Sequence, residues 1–471
     1  MTEHTVDLVI HGGRVVHPDG VVEANIAVND GRITAIGDEA VLPRAEKALD
    51  AAGMYVLPGA IDSHVHFREP GHAYKENWRS GTAAAACGGV TTVLEMPNTH
   101  PPTASVEALA QKLELARRQA HVDFGVYALL DEHNIDELTA LGSKGAAAFK
   151  CYMGNTFGEV MAPSDGAMLE GFEVLARLGL RCAVHAENAS ILARRQKRVE
   201  GAGRTDPLAH PAVRPEVCEG EAVGRAIAFA EWTGARLHIA HVSTRDAVPL
   251  IRDAKARGVD VTAETCPHYL LLSTDDMAHL GGVMRINPPV REPGHAEALW
   301  QALDDGTIDM IATDHAPHQP EEKTSPNIWQ CQCGFPGVET QMRLMLTEVD
   351  RGRMAITDYV RWVAANPARA WGLYPRKGVL QPGADADIVV VDMERRETID
   401  QDRLHSLSRI SPWHGRPVKG APVHTIVRGG IVVEDGVLVG PPGWGIPVRQ
   451  EMPPPRPRNL EKTIAAVTAP R

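Results

Sequence analysis

The segment Asp62-Ser63-His64-Val65-His66-Phe67-Arg68-Glu69-Pro70-Gly71 decides how the rest of the chain is read. It follows the apolar run Tyr55-Val56-Leu57-Pro58-Gly59-Ala60-Ile61, which reads as a short buried strand, and Pro70-Gly71 closes the segment as a turn. Alternate residues of a strand share a face, so His64 and His66 aim two imidazoles at one point where the strand ends. Two neutral imidazoles converging in this way suit a borderline divalent metal such as zinc. Taken alone, the pair reads equally well as two polar histidines at a strand-to-loop junction.

Working outward, residues 6 to about 56 read as short strands separated by glycine turns, with Asn29-Asp30-Gly31 as a hairpin turn. From about 57 to 370 strand and helix alternate. Seven strand candidates follow the one ending at His64: Thr91 to Met96, Val122 to Leu130, Ala146 to Met153, Leu180 to Ala186, Arg236 to Val242, Asp260 to Thr265 and Ile308 to Thr313. Apolar residues at helical spacing fill Ala104 to Ala120, Asp165 to Leu178, Glu216 to Thr233 and Arg245 to Arg257. Eight such repeats predict a (β/α)8 barrel. Arg194 to Pro215 is too long and polar for a bare connection and reads as a loop inserted over the barrel mouth. After Asn366-Pro367-Ala368-Arg369 the chain returns to strands such as Ile388-Val389-Val390-Val391. The expected organisation is therefore a small β-sandwich built from residues 1–56 and 371–445, a barrel over 57–370, and a proline-rich extended tail over 446–471.

The chain has 471 residues and a net charge of −12, from 48 basic and 60 acidic residues without long runs of either sign. That argues against a nucleic-acid or anionic-membrane partner. No apolar stretch reaches the ~18 residues of a membrane span, and Met1-Thr2-Glu3-His4 opens without the pattern of a signal peptide. Seven scattered cysteines point to free thiols in a reducing, cytoplasmic compartment. Cys331-Gln332-Cys333 is a weak metal or redox signal.

Functional residues of such a barrel sit at the C-terminal ends of its strands. Those ends carry His64 and His66 on the first strand, Lys150 on the fourth, His185 on the fifth, His241 on the sixth and Asp314 on the eighth. Lys150 stands apart, since an ammonium repels cations. Its strand, Ala146-Ala147-Ala148-Phe149-Lys150-Cys151-Tyr152, is apolar, and burial favours the neutral amine. A neutral amine reacts with CO2 to give an anionic carbamate with two oxygens, able to bridge two metals. The competing account is a buried Lys–Asp or Lys–Glu pair.

With these residues in place the sequence resembles the cyclic amidohydrolases of the amidohydrolase superfamily: dihydroorotase, allantoinase and hydantoinase/dihydropyrimidinase. The resemblance runs from about residue 6 to 440. Besides the opening segment it rests on Glu95-Met96-Pro97-Asn98-Thr99, Phe149-Lys150, Val184-His185-Ala186-Glu187, His241-Val242-Ser243 and Ala312-Thr313-Asp314-His315-Ala316-Pro317-His318. It implies that His64, His66 and Asp314 hold one divalent metal and that His185 and His241 hold another. Carboxylated Lys150 would bridge the two ions, which would be zinc. Asp314 would take the proton of the attacking water and pass it to the leaving ring nitrogen.

The resemblance also bears on substrate and partners. In dihydroorotases the equivalents of Arg68, Asn98 and His318 hold the substrate carboxylate, and Asn287 faces the ring. Hydantoinases carry a tyrosine five residues after the lysine, where this chain has Asn155. These features imply ring opening of dihydroorotate to N-carbamoyl-aspartate. Glu264-Thr265-Cys266-Pro267-His268-Tyr269, Ser411-Pro412-Trp413-His414-Gly415-Arg416 and Val427-Arg428-Gly429 look more like allantoinase or hydantoinase, which stand as the alternative. A non-catalytic scaffold relative is disfavoured because none of the six ligand positions is lost. A deaminase of the superfamily would typically use one metal and no carboxylated lysine. The expected partner is a small cyclic amide, and the assembly a homo-oligomer, dimer or tetramer.

Overall fold

The computed structural model describes residues 5–450 apart from 40, 41, 155, 157 and 159. Asn155 and the part of the tail beyond 450 lie outside the described residues. Five strands open the chain: β1 (Val6–His17), β2 (Gly20–Asn29), β3 (Arg32–Gly37), β4 (Ala45–Asp50) and β5 (Tyr55–Pro58). β2 and β3 meet across Asp30 and Gly31, with φ of 50° and 73°. Both values are left-handed, as a tight hairpin turn of this twist requires.

Eight parallel strands follow: β6 (Ala60–Val65), β7 (Val90–Glu95), β8 (Asp123–Leu130), β9 (Ala148–Tyr152), β10 (Arg181–His185), β11 (Arg236–Ile239), β12 (Val261–Thr265) and β13 (Met310–Ile311). They pair in chain order. The ring closes where Val65 pairs with His315 just past β13, and His66 N donates to His315 O at 2.7 Å. This is the expected barrel. Its strands are buried on both faces, as parallel strands sheathed by helices must be.

The helices Asp165–Leu178 and Glu216–Thr233 coincide with the sequence pattern. The region 194–215 does not. It is largely helical, with Ala189–Gly201 and Ala209–Val213. Asn188 caps the first of these by accepting from Ile191 N at 3.0 Å. Only Leu192 of that helix is buried, so its apolar stripe is too thin to register as a period in the sequence.

The last strands are β14 (Ile388–Thr398), β15 (Pro417–Val427), β16 (Gly430–Glu434) and β17 (Val437–Leu438). β14 pairs antiparallel with β5, so both ends of the chain share one nine-stranded sheet. The sheet branches at β1, which pairs with β2, β4 and β5, and it closes over a core that includes Ile10, Val28, Leu49, Val56, Ile388 and Ile426.

A buried ionic cluster ties this sheet to the barrel floor. Lys377 Nζ donates to Asp123 Oδ2 and Asp387 Oδ2, both at 2.6 Å, and lies 3.3 Å from Asp385. Arg428 Nε reaches Asp123 Oδ1 at 3.0 Å. Asp123 opens β8, Asp387 precedes β14 and Arg428 follows β15, so one lysine joins the two units. Beyond β17 the chain runs under the barrel. Phe124 N donates to Ile446 O at 3.0 Å, Val448 N donates to Phe124 O at 2.8 Å, and Val448 packs with Tyr127, Ala147 and Met310.

Candidate active site

The six residues picked out by strand position come together at one mouth. His64 lies in β6 and His66 just beyond it, Lys150 lies in β9, and His185 ends β10. His241 follows β11 and Asp314 follows β13. All six are buried. Arg68, His241 and Asp314 have φ of 60°, 38° and 48°. A left-handed backbone costs a residue with a Cβ about 1–3 kcal/mol, so the closed barrel must hold these residues where they are.

Hydrogen bonds decide which ring nitrogen of each histidine is available. His64 Nδ1 donates to Glu264 Oε1 at 2.5 Å, and His66 Nδ1 donates to Asn98 Oδ1 at 2.7 Å. Both Nε2 atoms are thereby left as acceptors, 3.4 and 3.1 Å from Asp314 Oδ1. The ligand atoms of His64, His66 and Asp314 all lie within 4.8 Å of one another, close enough to hold one ion. His185 works the other way round. Its Nε2 donates to Glu187 Oε2 at 2.9 Å, so its Nδ1 lone pair faces His241 Nε2 at 3.0 Å. Glu187 is itself clamped by Arg214, at the end of the helical insertion. Burial holds all four imidazoles neutral: His64 falls to about 4, and His66 and His241 lie well below their usual value. Neutral, oriented lone pairs are what a metal requires.

Lys150 sits among these four rings, and its charge depresses every one of them. Its side chain has no exposure, and Nζ has no hydrogen-bond partner among the described residues. The Tyr152 ring lies 5.4 Å away. Burial pushes the Lys150 amine down and the Asp314 carboxyl up. An orphaned amine beside two converging donor sets fits a group that becomes anionic there. The Lys–Asp or Lys–Glu contact that the competing account needs is not made at Nζ.

The pocket above these residues is lined by Arg68, Asn98, Asn287 and Tyr152 as well as the histidines and Asp314. His318 is not on its wall. Lys75 Nζ donates to His318 Nδ1 at 3.0 Å, so Nε2 carries the hydrogen and donates to Cys333 O at 3.0 Å. Arg68 Nη2 lies 3.2 Å from that same nitrogen. His318 therefore stays neutral between two cations and backs Arg68 rather than facing the pocket. Asn98 lines the pocket, but its Oδ1 is spent orienting His66.

Three residues go unmarked as functional by sequence reasoning. Glu264 is the penultimate residue of β12, holds His64, and also accepts from Ser63 Oγ at 3.0 Å. Glu187 holds His185. Tyr152 presents a hydroxyl with no partner among the described residues. The signal for Glu264 is its strand-end position, the same rule that finds the ligands.

The model of the amidohydrolase family matches residues 55–432. An allantoinase of Rubrobacter xylanophilus is 40% identical over 93% of this chain and 96% of its own length. A dihydroorotase of Methanosarcina mazei is 38% identical over 93% of this chain and 97% of its own. The solved structure of an L-hydantoinase (dihydropyrimidinase) from Arthrobacter aurescens superposes with a TM-score of 0.92 at 37% identity, covering 94% of this chain and all of that one. The barrel, the clustered histidine and aspartate ligands for divalent metal, and these matches agree: the chain belongs to the amidohydrolase family, in the group of cyclic amide hydrolases that spans hydantoinases, allantoinases and dihydroorotases.

Proposed function

We propose that this enzyme opens the ring of a cyclic ureide bearing a carboxylate, dihydroorotate, to give N-carbamoyl-aspartate. The observation that carries this reading is Arg68, 2% exposed and set in the pocket wall beside the ligand cluster. A guanidinium desolvated there is built to meet an anion. His64, His66 and Asp314 would hold one zinc ion, His185 and His241 the other, with the Lys150 carbamate between them. Ions held there would supply a water acidic enough to attack near neutral pH and a Lewis acid for the ring carbonyl. Asp314 takes the proton of the attacking water and delivers it to the ring nitrogen as the C–N bond opens. Arg68 anchors the carboxylate, backed by His318. Asn287 and Tyr152 offer polar groups to the ring. The seven free thiols suit a reducing cytoplasm.

A second reading, a neutral ring such as allantoin or hydantoin, draws on the names of the relatives above. Side-by-side assays with dihydroorotate, allantoin, hydantoin and dihydrouracil separate the two. A hydrogen bond to a charged group contributes about 1.5–3 kcal/mol, so Arg68→Met should lower kcat/KM on dihydroorotate about 10- to 100-fold. Residual turnover of dihydrouracil, which has no carboxylate, should barely change. Equal losses on both substrates, or a wild-type preference for allantoin or hydantoin, would remove dihydroorotate and leave the metal chemistry standing.

A further inference from the structure

A second constellation of reactive side chains lies away from the mouth. Cys87 ends the helix Trp78–Cys87, which leads into β7, so it sits toward the barrel floor. Its Sγ lies 3.6 Å from His405 Nε2, and His405 Nδ1 donates to Glu339 Oε1 at 3.0 Å. The other oxygen of Glu339 accepts from His405 N at 2.8 Å, which fixes the imidazole from two sides. This is a thiol, a base and a carboxylate that orients the base. The thiol and Glu339 raise the His405 imidazole to about 10, so it is charged beside the sulfur.

The three residues share the wall of a cavity of about 440 Å³ between the barrel and the edge of β14. Arg343, Arg395, Arg396 and Arg403 line it, against only Glu397 and Asp400 besides Glu339. The cavity thus favours an anion. Gly88 N is bonded to Ala84 O at 2.9 Å and Gly89 N to Ala86 O at 3.0 Å, so neither of these backbone amides is free to stabilise the oxyanion of an acyl transfer. Attack on sulfur needs no such donor.

We propose that Cys87, His405 and Glu339 form an activated thiol that undergoes exchange with small anionic disulfides. With the one proton that the pair shares resting on His405, the Cys87 sulfur attacks one sulfur of the disulfide. The disulfide bond breaks and a mixed disulfide forms on Cys87. The second sulfur leaves as a thiolate, which takes up the proton held on His405. The charged His405 lies in direct contact with the sulfur, which sits at the C-terminal end of its helix.

The test uses the full-length protein with dithiobis(nitrobenzoate), an anionic disulfide whose released thiolate is coloured. One equivalent per chain should react in a fast phase, at a rate relative to free cysteine about tenfold higher than for the cationic disulfide cystamine. Mass mapping should place the adduct on Cys87. The fast phase should vanish in Cys87→Ala and slow about tenfold in His405→Gln. It should persist in Cys333→Ser, which removes the cysteine lining the mouth. Thermal melts establish that each variant is folded. An unfolded variant leaves the decision to the adduct map of the wild type. No fast equivalent, an adduct on another cysteine, or a fast phase indifferent to His405→Gln would overturn the proposal.

Discussion

Lys150→Ala should lose bound metal and at least about 10³-fold in turnover, the largest effect expected of any single change beside the site. The cause is a charge deficit. On the proposed reading four neutral imidazoles and one carboxylate would hold two dications at a buried site, and a sixth, anionic ligand would be needed between them. Alanine removes the amine that would carry it. The variant should bind at most one zinc ion per chain by elemental analysis and melt as a folded protein. Acetate or propionate should restore part of both metal and turnover, because each brings a carboxylate into the vacated space. Labelled bicarbonate should give a carbamate carbon signal in the wild type and none in the variant. A Lys150→Ala protein with two ions and full turnover in the absence of added acid would end the bridging assignment.

Lys377→Met should destabilise the fold by about 3 kcal/mol, the lower end of the range for breaking a buried ion pair. Burial pulls the Lys377 amine down, but Asp387, Asp123 and Asp385 more than reverse it and hold the amine well above its usual value. Methionine fills a similar volume and leaves three carboxylates facing one another. Arg428 on Asp123 and Arg376 on Asp385 offset part of that repulsion, which is why the lower end applies. The denaturant midpoint should fall accordingly, while metal content stays at the wild-type value, since the cluster lies at the opposite end of β8 from the mouth. A loss below about 1 kcal/mol would mean that the two arginines suffice.

The eight barrel strands are legible in the sequence because each is an apolar run long enough to stand out, and the six converging residues are legible because each interrupts or closes such a run. Lys150 is the clearest case: β9 is Ala-Phe-Lys-Cys-Tyr, and one charge in a fully buried strand demands an explanation. What is not legible depends on closing the ring. Glu264 meets His64 across 200 residues, and no local pattern couples them. His318 is turned away from the pocket by Lys75, 243 residues earlier. The helix over Ala189–Gly201 is hidden for a different reason. It is stabilised by its cap and by packing of one leucine, and its exposed faces are as polar as a loop. Substrate choice lies at this same limit, because one arginine and its backing are distinguished from those of neutral-ring enzymes only by what faces them.

The segment from Gly440 to Gln450 carries a practical consequence. It is stitched to the start of β8, with Gly445 N on Ala120 O at 2.9 Å and Val448 beneath the barrel. The described chain therefore reaches Gln450 on the underside of the barrel. Cross-linked to a support through a residue of 440–450, the enzyme would turn its mouth to the bulk liquid, where substrate reaches it unobstructed. A linker spliced in between Gly445 and Val448 would instead interrupt the contacts that hold Val448 beneath the barrel, and would trade orientation for a breached floor.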